Sequence, residues 1–229
     1  AHSIDREAVI RHVLKGQAIP ASGLLPSSHW AFAPDLASHA YDLDIARNLV
    51  EKAGYSDPDG PGGAPRFAVT FKTSQNEITR RIGEILQQEL SRIGVRVDIK
   101  SYEWGTLFSD IQAGNFQLCA LTWVGITEPD IYHHVFHSRS IPPHGANRGG
   151  YANKEVDALL DLGRRTLDQA ERRNIYQQVQ RILAREVPYV SLWHAANVAA
   201  MRKRVHGYVL HPSGDFGSLR EVEISDGSG

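Results

Sequence analysis

The sequence predicts an α/β layer architecture. Two observations carry that prediction. The middle of the chain alternates between strand-like and helix-like periods in the order β-α-β-α-β, which implies right-handed crossovers. Composition is ordinary for a globular chain: 229 residues, 41% hydrophobic and 22% charged. That length suits one large domain or two small ones at roughly 100–200 residues each.

The elements follow in order. Asp5 to Leu14 reads as a helix, with Ala8, Val9, Val13 and Leu14 at helical spacing and Gly16 after its end. Gln17 to Asp35 is rich in Pro and Ser and reads as a loop. Asp42 is a suitable N-cap for a second helix, whose apolar face is Ile45, Leu49 and Val50, and Gly54 ends it. Ser56 to Pro65 carries three Gly and three Pro and reads as a surface loop. Phe67 to Thr73 alternates apolar and polar residues as a strand does. From Glu77 to Ile93, Ile78, Ile82, Ile85, Leu86, Leu90 and Ile93 fall on one helical stripe, and Gly94 stops it. Val95, Val97 and Ile99 form the next strand. Trp104 to Ala113 is a short helix closed by Gly114. Phe116 to Trp123 is nearly continuous in apolar residues, as in a strand buried on both faces.

Regularity then breaks. Gly125 to Tyr151 holds four His and three Pro, with a short helix near Asp130 to Phe136. A long irregular segment inside a compact domain is usually functional or a packed surface loop. Lys154 to Thr166 reads as a helix. The next begins with the capping-box-like pair Asp168 and Glu171, buries Ile175, Val179, Ile182 and Leu183, and ends at Pro188. Tyr189 to Trp193 reads as a strand. After Met201 the chain turns basic, and Ser225 to Gly229 is a small polar tail expected to be disordered.

Several function classes drop out on composition. Lys+Arg is 25 and Asp+Glu is 26, so the basic excess of a general nucleic-acid binder is absent. No stretch of about 18 apolar residues exists to span a bilayer. The single cysteine, Cys119, precludes an internal disulfide and a cysteine-based zinc finger. It sits in an apolar run, where a thiol is ordinarily inert packing. The chain opens on Ala1 without an initiator Met or a signal-like segment and enters a helix almost at once, as expected of a chain cut at a domain edge.

The remaining motifs are weak. His133 and His137 stand four apart and can share a helix face, but the metalloprotease pattern needs Glu after the first His, and His134 is there instead. Histidines that pack or hydrogen-bond near the surface are the simpler reading. Gly145 to Gly150 lacks the Gly-Lys-Ser/Thr ending of a P-loop, and no Gly-x-Ser-x-Gly elbow exists. Nothing argues for an enzyme, a resident metal or a cofactor. Trp104 and Trp123 leave two readings open. They are core residues, or they stand at the carboxyl ends of strands, where open α/β sheets bind ligands.

Taken together, several segments resemble the extracellular solute-binding proteins of family 5, the peptide- and nickel-binding proteins of ABC importers. SIDREAVIRHVLKGQA is similar to the family's Ile-Asp-Arg-Glu helix, and YDLDIARNLVEKAGY to its aspartate-led helix. LQQELSRIGVRVDI and YEWGTLFSDIQAGNFQL resemble two helix and strand steps, and YANKEVDALL and RRNIYQQVQRILAREVPYVSLWH the later helices and strand. The resemblance covers nearly the whole chain in order. It implies a type II periplasmic-binding-protein lobe with a mixed sheet flanked by helices. Residues 1–203 would be the C-terminal ligand-binding lobe, and 204–229 a segment returning toward an N-terminal lobe. It also implies a periplasmic or extracellular location, an oligopeptide or similar small solute as ligand, and a membrane permease as partner. The same lobes also occur in sensor domains of regulators, and a metal-dependent enzyme on His133 and His137 is the remoter alternative.

The resemblance implies a site as well. Peptide-binding members place tryptophans where Trp104 and Trp123 stand. Val124, Gly125 and Ile126 would lie beside them, and the loop around Asn147 and Arg148 would rim the cleft. Some members carry basic residues where this chain has Ile111 and Ala120. They also carry an aspartate, partner to a peptide's free amine, where this chain has Gly125 or Ile126. A buried ammonium without a counter-charge is costly, so that anchor does not carry over.

Overall fold

A computed structural model describes residues 1–57, 59–60 and 62–225. Helix α1 (Arg6–His12) starts where the Asp5 carboxylate accepts from the Ala8 N–H at 2.8 Å. Strand β1 (Ala18–Pro20) follows, then α2 (Leu43–Lys52), capped by Asp42 through the Asp44 and Ile45 N–H groups. The centre is β2 (Phe67–Ser74), α3 (Glu77–Ser91), β3 (Val95–Tyr102), α4 (Trp104–Gln112) and β4 (Leu118–Cys119). Helices α5 (Ile131–Phe136), α6 (Lys154–Arg165) and α7 (Gln169–Glu186) come next. The chain closes with β5 (Trp193–Ala195), β6 (Val205–His206), a 3-10 turn (Gly217–Glu221) and β7 (Glu223–Ile224).

The expected β-α-β-α-β unit is present. Its three strands are parallel, in the order β3-β2-β4. The chain moves from β2 to β3 on one side and then back across β2 to β4. Right-handed crossovers therefore place α3 and α4 on opposite faces. Side chains of the central strand record this. Phe71 packs against α3, where a Cβ added at Gly83 would lie 3.1 Å from its ring. The next residue, Lys72, points the other way, and its Nζ lies 2.6 Å from Asp110 Oδ2 on α4. The mixed character of the fold comes from two antiparallel ribbons outside this sheet, β1-β5 and β6-β7.

Two apolar clusters build the sheet layer. Phe71, Ile82, Leu86 and Val97 join α3 to the sheet, and Ala46, Ile93 and Val95 seat α2 beside it. A larger cluster lies in the helical region: Tyr132, Val135, Val156, Leu160, Tyr176 and Val179 are all at most 2% exposed. Gln180 is buried there and fully satisfied. Its Oε1 accepts from the Ala33 N–H, and its Nε2 donates to the Ala31 and Tyr176 carbonyls. The Asp168 cap on α7 and the buried stripe from Ile175 to Leu183 are as expected.

Four expectations need correction. The strand expected from Phe116 to Trp123 shrinks to Leu118–Cys119, and Leu118 is 37% exposed. The Thr70 N–H is taken by the Gln117 side chain at 2.8 Å, so the backbone ladder begins only at Phe71. The strand pairs on one side only, as an edge strand, which leaves its apolar run half-covered. The strand expected at Tyr189 to Trp193 moves to Trp193–Ala195 and pairs with β1, inside the segment read as loop. That pairing joins the two ends of the sequence, so no local pattern announces it. On α2, Ile45 and Leu49 are exposed, because the helix buries Ala46 and half-buries Leu43 and Val50 instead. Ile78, in the first turn of α3, is also exposed. Pro58 and Pro61 of the Ser56 to Pro65 loop, and residues 226–229 of the expected tail, lie outside the described residues.

Helices α6 and α7 approach closely at Gly163, where a Cβ would lie 2.9 Å from the buried Tyr176 ring. Gly163→Ala is therefore expected to lower stability by about 1–3 kcal/mol despite alanine's better helix propensity. Urea denaturation of the two proteins checks this.

Candidate functional site

Parallel strands bring their carboxyl ends to one edge. β3 ends at Tyr102, and Glu103 then caps α4, its carboxylate accepting from the Gly105 and Thr106 N–H groups. These bonds hold the Glu103 carboxyl below its ordinary range. Trp104 is the first residue of α4 and is 54% exposed, so it is no core residue. Phe108 lies one turn later on the same face, and the two rings stack with centroids 5.6 Å apart. Beside them, Ser74, Asn76, Thr79, Glu103 and Trp104 line an open groove at the ends of β2 and β3.

Trp123 follows β4 and is half-buried against the helical core. It meets the His134 ring edge-on at 6.2 Å. The Arg148 guanidinium lies near both aromatic groups, 5.6 Å from the Phe108 ring centre and 5.3 Å from that of Trp123. Trp104, Phe108, Arg148 and Trp123 thus form one continuous stack. Cation–π contacts of this kind are worth about 0.5–1 kcal/mol each at exposed sites. Val124 is 84% exposed, Gly125 is exposed with φ +68°, and Ile126 turns inward against the core. Burial pushes the Cys119 thiol up, which keeps it protonated and unreactive at neutral pH.

The Arg148 loop is held by buried polar contacts. Asn147 is 1% exposed. Its Nδ2 donates to the His137 and Tyr151 carbonyls at 3.1 and 2.7 Å, and its Oδ1 accepts from the Tyr151 N–H at 2.9 Å. Both Nδ2 hydrogens are used inside the loop and the side chain is buried, so Asn147 fixes the loop. At Gly145 a Cβ would fall 2.5 Å from the Ser140 carbonyl oxygen, so only glycine fits. Phe108 and His134 extend the stack beyond the residues singled out in the sequence. The spacing of Trp104 and Phe108 on one helix face was the available signal for Phe108.

The histidines form a different assembly. His133, His137 and Asp161 place their ligand atoms within 4.8 Å of one another. His137 Nδ1, however, accepts from the Arg139 N–H at 3.0 Å. Its proton is therefore on Nε2, the nitrogen that faces Asp161 at 3.5 Å. Arg139 pairs with the same carboxylate at 3.1 Å, and Arg164 lies 3.3 Å from His133. The carboxylate is already neutralised and His137 has no free lone pair toward it, so the cluster is an ionic and hydrogen-bonded brace. A more enclosed cavity than the groove beside Trp104 lies elsewhere, bordered by Arg6, Ala21, His39, Gln180, Ala184 and Ser191. Arg6 is committed there to the Ala21, Ser191 and His39 carbonyls.

Two predictions follow from these contacts. Gly145→Ala is expected to displace the Arg148 loop and cost about 1–3 kcal/mol, measurable by thermal and urea unfolding. Burial also pushes His29, His133 and His194 below the ordinary histidine value. Each is then protonated more readily in the unfolded chain. The associated stability is present above pH ~6.5 and is lost as pH falls through that value toward the folded ones. The urea midpoint is expected to be lower at pH 5.5 than at pH 7.5, and His194→Gln to narrow that difference.

Residues 1–140 match the model of the bacterial extracellular solute-binding proteins, family 5, middle region. The Escherichia coli dipeptide-binding protein is 26% identical over 214 residues, which is 93% of this chain and 39% of that protein. The oligopeptide-binding protein AppA of Bacillus subtilis is 29% identical over 232 residues, covering 96% of this chain and 42% of AppA. The structure of AppA with a nonapeptide superposes with a TM-score of 0.85 at 26% identity, over 98% of this chain and 46% of that one. The chain therefore spans about two-fifths of the length of the curated relatives it matches. The fold is that of a type II periplasmic binding protein lobe. No helix among the described residues is long and apolar enough to cross a membrane. By its matched residues and by its fold, the chain belongs to the bacterial extracellular solute-binding proteins of family 5.

Proposed function

We propose that this chain is the C-terminal ligand-binding lobe of the substrate-binding component of an ABC importer. It binds peptides or similar small solutes at the periplasmic or extracellular face for delivery to a membrane permease. The observation that carries this reading is the Trp104-Phe108-Arg148-Trp123 stack beside the carboxyl edge of the parallel sheet. Such edges are where open α/β sheets bind ligands, and aromatic walls offer a large apolar surface. Trp104 and Trp123 form the cleft wall, with Val124 and Gly125 at its margin and Ile126 behind it. The names of the dipeptide- and oligopeptide-binding relatives support a peptide-like ligand.

Residues 1–203 are the lobe itself. The segment from residue 204 onward exposes Phe216, Leu219 and Ile224, an apolar surface suited to a neighbouring lobe. Ligand held between two lobes favours the closed state in proportion to the contacts it makes only there. The role is binding and release without chemistry. The single thiol, Cys119, is held protonated by burial.

Mass spectrometry of solutes that co-purify with the full-length protein tests this reading. A bound peptide or other small solute is expected, and nucleic acid as the only companion would overturn it. Trp104→Ala is expected to weaken ligand binding about tenfold or more, read by calorimetry, with little change in stability because the ring is largely exposed.

A further inference from the structure

Arg148 is the one member of the stack whose chemistry is incomplete. Among the described residues, its guanidinium takes part in no hydrogen bond and no ion pair, and its Nε is buried without a partner. Three arginines of the helical region are engaged by contrast: Arg139 with Asp161, Arg164 with Asp130 and Arg172 with Glu128. A buried guanidinium nitrogen left unpaired costs more than a neutral group would, and such orphans in native structures call for an explanation. Here the aromatic rings fix the position of the charge but supply no acceptor.

The surrounding carboxylates are committed elsewhere. Glu103 caps α4, Asp110 is held by Lys72 and Asn115, and Glu128 pairs with Arg172. Val124, Gly125 and Ile126, which follow Trp123, carry no charge. On this lobe the cleft wall therefore presents one unbalanced cation on an apolar surface. Among the described residues that follow Trp123 as far as Thr127, no carboxylate is offered to a ligand's ammonium.

We infer that Arg148, beside Phe108 and Trp123, is an anion-recognition subsite that takes the carboxylate of a solute with an apolar body and no required ammonium group. The inference rests on the solute-binding reading above and narrows it to a ligand class. A guanidinium presents its donors as a planar fork that matches a carboxylate with two parallel bonds. The Phe108 and Trp123 rings supply no acceptor, so the N–H donors of that fork are left for one. The apolar body of the ligand would then extend along Trp123 or Trp104.

Calorimetry with the full-length protein and three matched probes tests this: N-acetyl-Ala-Phe, its C-terminal amide, and Ala-Phe with a free amine. The N-acetylated acid is expected to bind at least tenfold more tightly than its amide, and acetylation to change affinity less than threefold. Arg148→Gln is expected to remove the preference for the acid. Arg148→Lys, which keeps charge and length but not the fork, is expected to retain part of it. Thermal unfolding of both variants verifies that each is folded. Equal binding of acid and amide, or an acid preference that survives in folded R148Q, would overturn the inference and leave the solute-binding reading intact. Tighter binding of phenyl phosphate than of the peptide acid would overturn the carboxylate assignment. Binding of none of the probes would count against both the peptide reading and the inference.

Discussion

Strand β2 has to satisfy two strands and two helices at once, and the rest of the lobe is arranged around that constraint. Its neighbours β3 and β4 run parallel to it, on opposite sides. Consecutive residues Phe71 and Lys72 leave it toward opposite faces. One enters an apolar cluster under α3, and the other meets a carboxylate on α4. Lys72 is further fixed by the Asn115 carbonyl at 2.6 Å and lies over the Tyr102 ring. The half-buried pair holds the Asp110 carboxyl well below its ordinary range. A helix seated this way has a fixed rotation about its axis, and that rotation decides where Trp104 and Phe108 point.

The other half of the site comes from a segment with almost no regular structure. The stretch from His137 to Tyr151 is ordered by its own polar contacts, with Asn147 joining both ends of the loop through one side chain. The Ala146 N–H adds a bond to the His134 carbonyl on α5, and the Tyr189 hydroxyl donates to the Ala146 carbonyl. The histidine and aspartate brace beside it ties α5 to α6. A rigid loop without helix or strand is thus coupled to two helices and to the segment before β5. The aromatic face of α4 and this loop are thus supported independently, and the Arg148 side chain bridges them.

Much of this architecture was legible in the sequence because it is local. N-caps at Asp5, Asp42 and Asp168 and positive-φ glycines at Gly54, Gly94 and Gly114 mark boundaries within a single turn. The exposure of Trp104 also agrees with its place at the end of a strand. What could not be read depends on distant partners. β1 and β5 pair across most of the chain, and the Gln117 side chain replaces a backbone bond that the apolar run predicts. Asn147 enters the expected site only through the family resemblance, as part of a loop at the cleft rim. Its role as a buried clamp depends on His137 and Tyr151 folding back onto it, which composition does not reveal.

The loop also separates two tasks that are usually entangled. Its shape is set by Gly145, Asn147, Ser140 and Tyr151, whose contacts run through backbone groups or the buried Asn147 amide. The side chain at position 148 contributes none of those bonds and lies near two rings that are themselves anchored elsewhere. Changing that one residue alters what the cleft wall offers while leaving its frame intact. On the proposed function, position 148 is therefore a point at which a protein of this architecture can drift from one class of cargo to another by single substitutions, without first acquiring a new loop.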